Sequence, residues 1–244
     1  MSNYDNVEPK EKWEFDEAVT NCFENMLERS IPQYELMRKS VADLAYDVIN
    51  QDNFRKGVFQ ILDLGCSNGL MLQALYNRFN GEGNYFGVDV SEPMLKEAKY
   101  RFLDQIISHK VSITSCDLKA DFPQGLFDVI TAILTLQFIP IDYRQDIIQN
   151  IYDRLSNKSG CFLMVEKVLG NTAQLNKMFV KNYYRMKSDN EYSQEQIERK
   201  RLSLEGVLVP VTSDWNIQLL KQAGFRQVDV FWRWMNFVGY IAIK

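Results

Sequence analysis

Between residues 58 and 165 the chain alternates short apolar runs with amphipathic stretches. No other feature constrains the fold as strongly. Strand-like runs fall at 58–64, 84–90, 111–116, 127–134 and 161–165. Leu72, Leu75, Tyr76 and Phe79 mark one helix face between the first two. Met94, Leu95, Ala98, Phe102 and Ile106 mark the next, and Ile147, Ile148, Ile151, Tyr152 and Leu155 the last. Helical crossovers of about ten to fifteen residues join parallel strands, so the expected fold is a doubly wound, mostly parallel α/β sheet. Residues 171–209 break the rhythm: they are polar, helix-prone and carry no strand pattern, which reads as a helical lid insertion. A helix at 213–223 and strands at 227–231 and 236–243 follow. The last two strands leave no room for a crossover helix and should pair antiparallel.

Ahead of the sheet, Phe15, Val19, Phe23 and Met26, then Tyr34, Met37, Val41, Leu44 and Val48, recur at helical spacing. Residues 13–51 should therefore be helical, and the polar residues 1–12 loose. The expected division is a helical cap (1–51), an α/β core (52–170), a lid (171–210) and a C-terminal helix and hairpin completing the core (211–244).

Hydrophobic residues make up 46% of the 244 and aromatics 13%, enough for a substantial core. The net charge of −4 argues against direct nucleic-acid binding. Cys22, Cys66, Cys116 and Cys161 are far apart and form no CxxC pair, so neither a metal site nor a disulfide framework is expected. The N-terminus lacks the pattern of a signal peptide, and no apolar run approaches the ~18 residues of a membrane helix; the cytoplasm is the expected compartment. The only histidine, His109, precedes the third strand, on the side away from the strand ends.

The first strand ends in FQILDLGCSNG (59–69). Ligands of open α/β sheets bind at the carboxyl ends of the strands. A dinucleotide site wants G-x-G-x-x-G there, for a pyrophosphate on the helix N-terminus. Here Ser67 replaces the middle glycine and Gly69 falls one residue early, so the turn suits a ligand without pyrophosphate. Asp63 can meet an ammonium group. Asp89 ends the second strand and can accept from both ribose hydroxyls. Asp117 ends the third, where it and the Leu118 backbone can read an adenine. Three strand-end carboxylates in order describe adenosine with an amino-acid tail: S-adenosylmethionine.

These motifs resemble the class I S-adenosylmethionine-dependent methyltransferases, whose seven-stranded sheet with an antiparallel last strand matches the order above. A closer resemblance covers nearly the whole chain. WEFDEAVTNCFENMLERSIPQY (13–34), TLQF (135–138), EK (166–167), RKRLSLEGVL (199–208), AGF (223–225) and MNF (235–237) are similar to the carboxy-S-adenosylmethionine synthase family. The resemblance implies carboxylation of the cofactor methyl by prephenate, for a partner enzyme that modifies the tRNA wobble uridine, and a homodimer. It implies that Tyr34, Gly65, Cys66, Ser67, Asp89, Val90, Asp117 and Leu118 line the cofactor, and that Arg201 holds the added carboxylate. Arg201 and Tyr34 are thus the catalytic candidates. The guanidinium fork suits a carboxylate.

The chain departs from that family at Ile133, where the family has a cofactor-contacting Asn, and at Val90, which replaces a polar residue. VFWRWMNF (230–237) is richer in tryptophan, and LVPVTSDWN (208–216) also differs. Conventional methyl transfer to a small acceptor stays open, with Tyr34, Tyr183, Tyr184 and Glu166 as orienting candidates. So does a non-catalytic cofactor-binding subunit. Trp232, Trp234 and Phe237 read as core packing or as a wall for an apolar substrate or dimer contact. The mixed charge of KNYYRMKSDNEYSQEQIERKR (181–201) reads mostly as a solvated helical face.

Overall fold

Asp16 starts the first helix by accepting a hydrogen bond from the Val19 N–H at 2.9 Å, which satisfies one free donor of the first turn. The computed structural model describes residues 4–7, 9, 11–50, 58–156 and 160–244. In it α1 (Glu17–Ser30) and α2 (Tyr34–Asn50) precede the sheet. Trp13 and Phe15 lie ahead of α1, because Asp16 takes the extended backbone of a cap. The boundary expected at 51–52 lies outside the described residues.

The α/β units follow in order: β1 (Gln60–Leu64), α3 (Leu70–Arg78), β2 (Asn84–Asp89), α4 (Glu92–Arg101), α5 (Leu103–Ile107), β3 (Val111–Ser115) and β4 (Val129–Ile133). The helix expected through Ile106 is interrupted at Phe102, whose backbone leaves helical geometry. β4 is shorter than the run at 127–134: Phe127 makes only an isolated bridge to Leu155, and Leu134 takes φ +58°. After a short 3-10 turn at Leu136–Phe138 come α6 (Ile141–Arg154) and β5 (Cys161–Leu169), then the lid helices α7 (Ala173–Asp189) and α8 (Gln194–Leu204). β6 (Val211–Thr212), α9 (Ser213–Ala223), β7 (Gln227–Trp234) and β8 (Phe237–Ile243) complete the fold.

The main sheet runs β3-β2-β1-β4-β5-β8-β7. β1 to β5 pair in parallel, and β8 alone is antiparallel to its neighbours β5 and β7. The seven strands expected are joined by an eighth. β5 runs past Val165, the partner of Ile133, and β6 pairs with its free end at Val168 and Leu169. The central strands feed two layers, which is why they read as continuous apolar runs. Ile61, Leu163 and Val165 face α2 and α3, while Leu62, Leu64, Phe162 and Met164 face α6 and α9. Strand order reverses between β1 and β4, so the crevice opens at their carboxyl ends.

Among the described residues of 1–12, Asp5 is held firmly rather than loose. Asp5 is 1% exposed; it accepts from Lys200 Nζ of α8 at 3.0 Å and from the Tyr192 hydroxyl. Arg29 Nε donates to the Asn190 carbonyl at 2.8 Å, and Trp13 N–H to the Ser203 carbonyl at 3.0 Å. The N-terminal segment and α1 thus clasp the lid.

Candidate active site

The turn after β1 packs against two neighbours. The N–H groups of Gly65 and Cys66 both donate to the Val88 carbonyl, at 2.8 and 2.9 Å. Gly65 has φ +68°, and a Cβ there would sit 2.5 Å from the Thr135 side chain, so only glycine fits. Gly69, at φ +85°, is the N-cap of α3; it shapes the turn and does not line the cavity.

Asp89 closes β2 and locks this turn. Its Oδ2 accepts from the Ser67 N–H at 2.9 Å, and its Oδ1 from the N–H groups of Val90 and Ser91 at 2.7 and 2.9 Å. Carboxylate oxygens accept more than one bond each, so the oriented Oδ2 keeps acceptor capacity for a hydroxyl. Asp117 lies two residues past β3, accepts from the Lys119 N–H at 3.1 Å, and shares the cavity wall with Leu118.

Asp63, one residue before the end of β1, is 1% exposed. Its Oδ1 accepts from Thr131 Oγ1 at 2.7 Å; its Oδ2 is buried with no hydrogen-bond partner among the described residues. Burial pushes its pKa up to about 7, against the Thr131 bond and with the Asp89 charge adding to the rise. An orphaned carboxylate oxygen facing a cavity fits an ammonium group.

One cavity of about 550 Å³ gathers these groups. Tyr34, Asp63, Gly65, Cys66, Ser67, Asp89, Val90, Asp117, Leu118 and Ile133 all line it. Tyr34 opens α2, 8% exposed, under the Arg38 guanidinium 4.6 Å from its ring centre; burial raises its hydroxyl pKa. Cys66 is buried and its thiol pKa is likewise raised.

Contrary to expectation, Arg201 is not brought to this cavity. It lies on the outer face of α8, exposed, paired with Glu198 at 2.7 Å, and does not line the cavity of its own chain. Successive helical residues are about 100° apart, and Lys200 takes the inward position at 7% exposure. Of the orienting candidates, Tyr183 lines the cavity whereas Tyr184 and Glu166 do not. Glu166 is buried beneath the 135–138 turn and accepts from the N–H groups of Leu136 and Gln137 at 2.9 and 2.8 Å. Burial raises its pKa to about 8, while those bonds and the Arg144 charge pull the other way. Phe237 lines the cavity, and Trp232 donates its indole N–H to Gln33 Oε1 at 3.0 Å.

Three site residues were missed by the sequence reading: Lys167 on β5, Lys187 on α7 and Lys200 on α8 all line the cavity. Lys187 is 4% exposed, so the 181–201 segment is not simply a solvated face. Burial lowers the Lys167 pKa to about 8. Burial, then repulsion from Lys200 and Lys167, lowers that of Lys187 to about 7. Among the described residues no cluster of three or more His, Cys, Asp or Glu suits a metal.

The cavity could hold S-adenosylmethionine, with Asp63 placed to meet the ammonium group, Asp89 the ribose, and Asp117 with Leu118 the adenine. Affinity should fall about tenfold per pH unit from pH 7 toward pH 5. Below pH 7 the Asp63 carboxyl of the free protein is protonated, and pairing with an ammonium group must expel that proton. Calorimetric titration across this range checks it. Asp63→Asn should bind weakly with a flat profile, and a flat profile in the native protein would separate Asp63 from the ligand's amine.

Residues 61–158 match the methyltransferase domain family. The chain is 37% identical to the carboxy-S-adenosyl-L-methionine synthase of Methylococcus capsulatus over 94% of this chain and 93% of that one. It is 38% identical to that of Nautilia profundicola over 96% of each. Among solved structures, an O-methyltransferase family protein from Burkholderia thailandensis superposes with a TM-score of 0.64 at 15% identity, over 93% of this chain and 60% of that one. Human N-acetylserotonin methyltransferase in complex with S-adenosylmethionine gives 0.60 at 14%, over 93% and 55%. The folds agree, and the full-length sequence similarity is the narrower finding: the chain belongs to the carboxy-S-adenosyl-L-methionine synthase family, built on the S-adenosylmethionine-dependent methyltransferase fold.

Proposed function

We propose that this protein is a carboxy-S-adenosylmethionine synthase, with prephenate as the carboxyl donor, and that its product serves tRNA wobble-uridine modification by a partner enzyme. The observation that carries this reading is the near full-length identity to synthases of that name. The bound cofactor supplies an electrophilic methyl carbon next to a positive sulfur. The chain's residues hold the two ends of that molecule: Asp63 the amine, Asp89 the ribose, Asp117 and Leu118 the base. Phe15, Phe138, Leu204 and Leu208 give the cavity an apolar wall, and water displaced from it on binding strengthens the charge interactions inside. Ile133 presents an aliphatic side chain where β4 ends and adds no hydrogen bond. Assembly as a homodimer and residence in the cytoplasm belong to the same proposal. No helix among the described residues is long and apolar enough to cross a membrane.

The purified protein, incubated with S-adenosylmethionine and prephenate, should yield carboxy-S-adenosylmethionine by mass spectrometry. Unchanged S-adenosylmethionine would overturn the donor assignment. S-adenosylhomocysteine formed with a small acceptor would favour conventional methyl transfer, the reading that apolar Ile133 supports.

A further inference from the structure

Three ammonium groups line the lid side of the cavity, and one of them is answered by the protein. Lys200 is paired with Asp5 at 3.0 Å. Neither Lys167 nor Lys187 has a carboxylate within ion-pair distance among the described residues. Both lie over the same ring: the Tyr183 centroid is 4.8 Å from Lys167 Nζ and 5.7 Å from Lys187 Nζ. Lys187 Nζ is also 4.8 Å from the Tyr192 centroid. Ring faces attract cations, but less strongly than burial penalises them. Among the described residues no carboxylate pairs with either lysine: Asp5, whose charge reaches Lys187, is already paired with Lys200, so two ammonium groups share a ring and face the cavity without a paired counter-ion.

The cofactor is not that counter-ion. Its ammonium, ribose and base fall to the carboxylates at the ends of β1, β2 and β3, and its one carboxylate sits on the same carbon as that ammonium, so it stays beside Asp63. Lys167 stands elsewhere. The β4–β5 register pairs Ile133 with Val165, and Lys167 follows two residues on, on the same face of the sheet. It is the register partner of Phe237 on β8, and the Phe237 ring contacts Tyr183 at 5.3 Å between centroids. Cations and apolar rings thus sit side by side, beyond the strand ends and beneath α7.

We propose that Lys167 and Lys187 form a carboxylate subsite for the second substrate, a small acidic molecule whose apolar body lies against Tyr183 and Phe237. The proposal rests on reading this cavity as the place where a carboxylate-bearing donor meets the cofactor. Lys167 belongs to the sheet and Lys187 to the lid. The substrate's anion therefore bridges the two and replaces the missing counter-ion.

The test titrates the S-adenosylhomocysteine-loaded protein calorimetrically with prephenate, with phenylpyruvate and with the neutral methyl ester of phenylpyruvate. The native protein should bind the acids and discriminate against the ester. Lys187→Met and Lys167→Met should each weaken acid binding about 10- to 100-fold, the loss of one charge-assisted hydrogen bond, and leave ester and S-adenosylhomocysteine binding unchanged. Methionine fills a similar volume without a charge to bury, so the variants should melt no lower than the native protein. The two positions lie on different elements, so either variant alone keeps the test decisive. Native-like discrimination in both variants, or none in the native protein, overturns the subsite. Lysine-dependent discrimination with no carboxy-S-adenosylmethionine formed would instead overturn the synthase reading and leave the subsite standing.

Discussion

Asp89→Ala should raise the dissociation constant for S-adenosylmethionine by about 100-fold or more, with the fold intact. Two losses add. The ribose hydroxyls lose a charged acceptor, each such bond contributing about 1.5–3 kcal/mol. The turn also loses the carboxylate that gathers the N–H groups of Ser67, Val90 and Ser91. Those donors border the crevice and can turn to water, so the melting temperature should move by a few degrees only. Calorimetry on native protein and variant gives the ratio. Equal affinities would reduce Asp89 to a turn-capping residue and remove the ribose from its role.

Arg144→Met should be the most damaging substitution away from the cavity. Arg144 is 2% exposed on α6 and donates to three carbonyls: Ile139 at 2.8 Å, Gln137 at 3.3 Å and Val209 at 2.7 Å. Its charge also pulls the Glu166 pKa down, against the burial that raises it to about 8. Methionine would take this donor from the Ile139 and Val209 carbonyls, while the Gln137 carbonyl keeps the Val209 N–H at 2.8 Å, and would remove the positive charge facing Glu166. Breaking a buried charge arrangement of this kind costs about 3–5 kcal/mol, roughly 10 °C of melting temperature for a chain this size. Thermal denaturation followed by circular dichroism measures it. The variant should also bind substrate poorly, because Arg144 joins the 135–138 turn, which lines the cavity, to the segment leaving the lid. A native melting temperature would mean that the segment repacks without it.

The cofactor half of the site was legible because its constraints are local. A strand, a glycine turn and a helix place Asp63, Gly65 and Ser67 within seven residues of chain, and strand ends place Asp89 and Asp117. The parallel pairing of β1 to β5 and the antiparallel pairing of β7 with β8 followed from connection lengths for the same reason, whereas the spatial order of the strands did not. The lid half was not legible. Tyr183 and Lys187 share a face of α7 at i, i+4, but nothing local says that this face turns inward. Adjacent Lys200 and Arg201 offer the same charge, and only the docking of α8 against Asp5 decides which is buried. Asp5 was expected in a loose segment, and its partners lie 187 and 195 residues away. β6 escaped notice because two residues carry no periodicity.

The position of β8 bears on how the molecule is made. It sits between β5 and β7, and it follows in sequence everything it touches. A nascent chain that has emitted residues 4–236 can assemble the cofactor turn, yet the edge of β5 is bare and the wall that Phe237 provides is missing. Domains fold as units during synthesis, and here the unit closes only when the strand at 237–243 leaves the ribosome. The half of the crevice that grips adenosine can therefore exist before the half that receives the second substrate, and translation itself sets the order in which the two are completed.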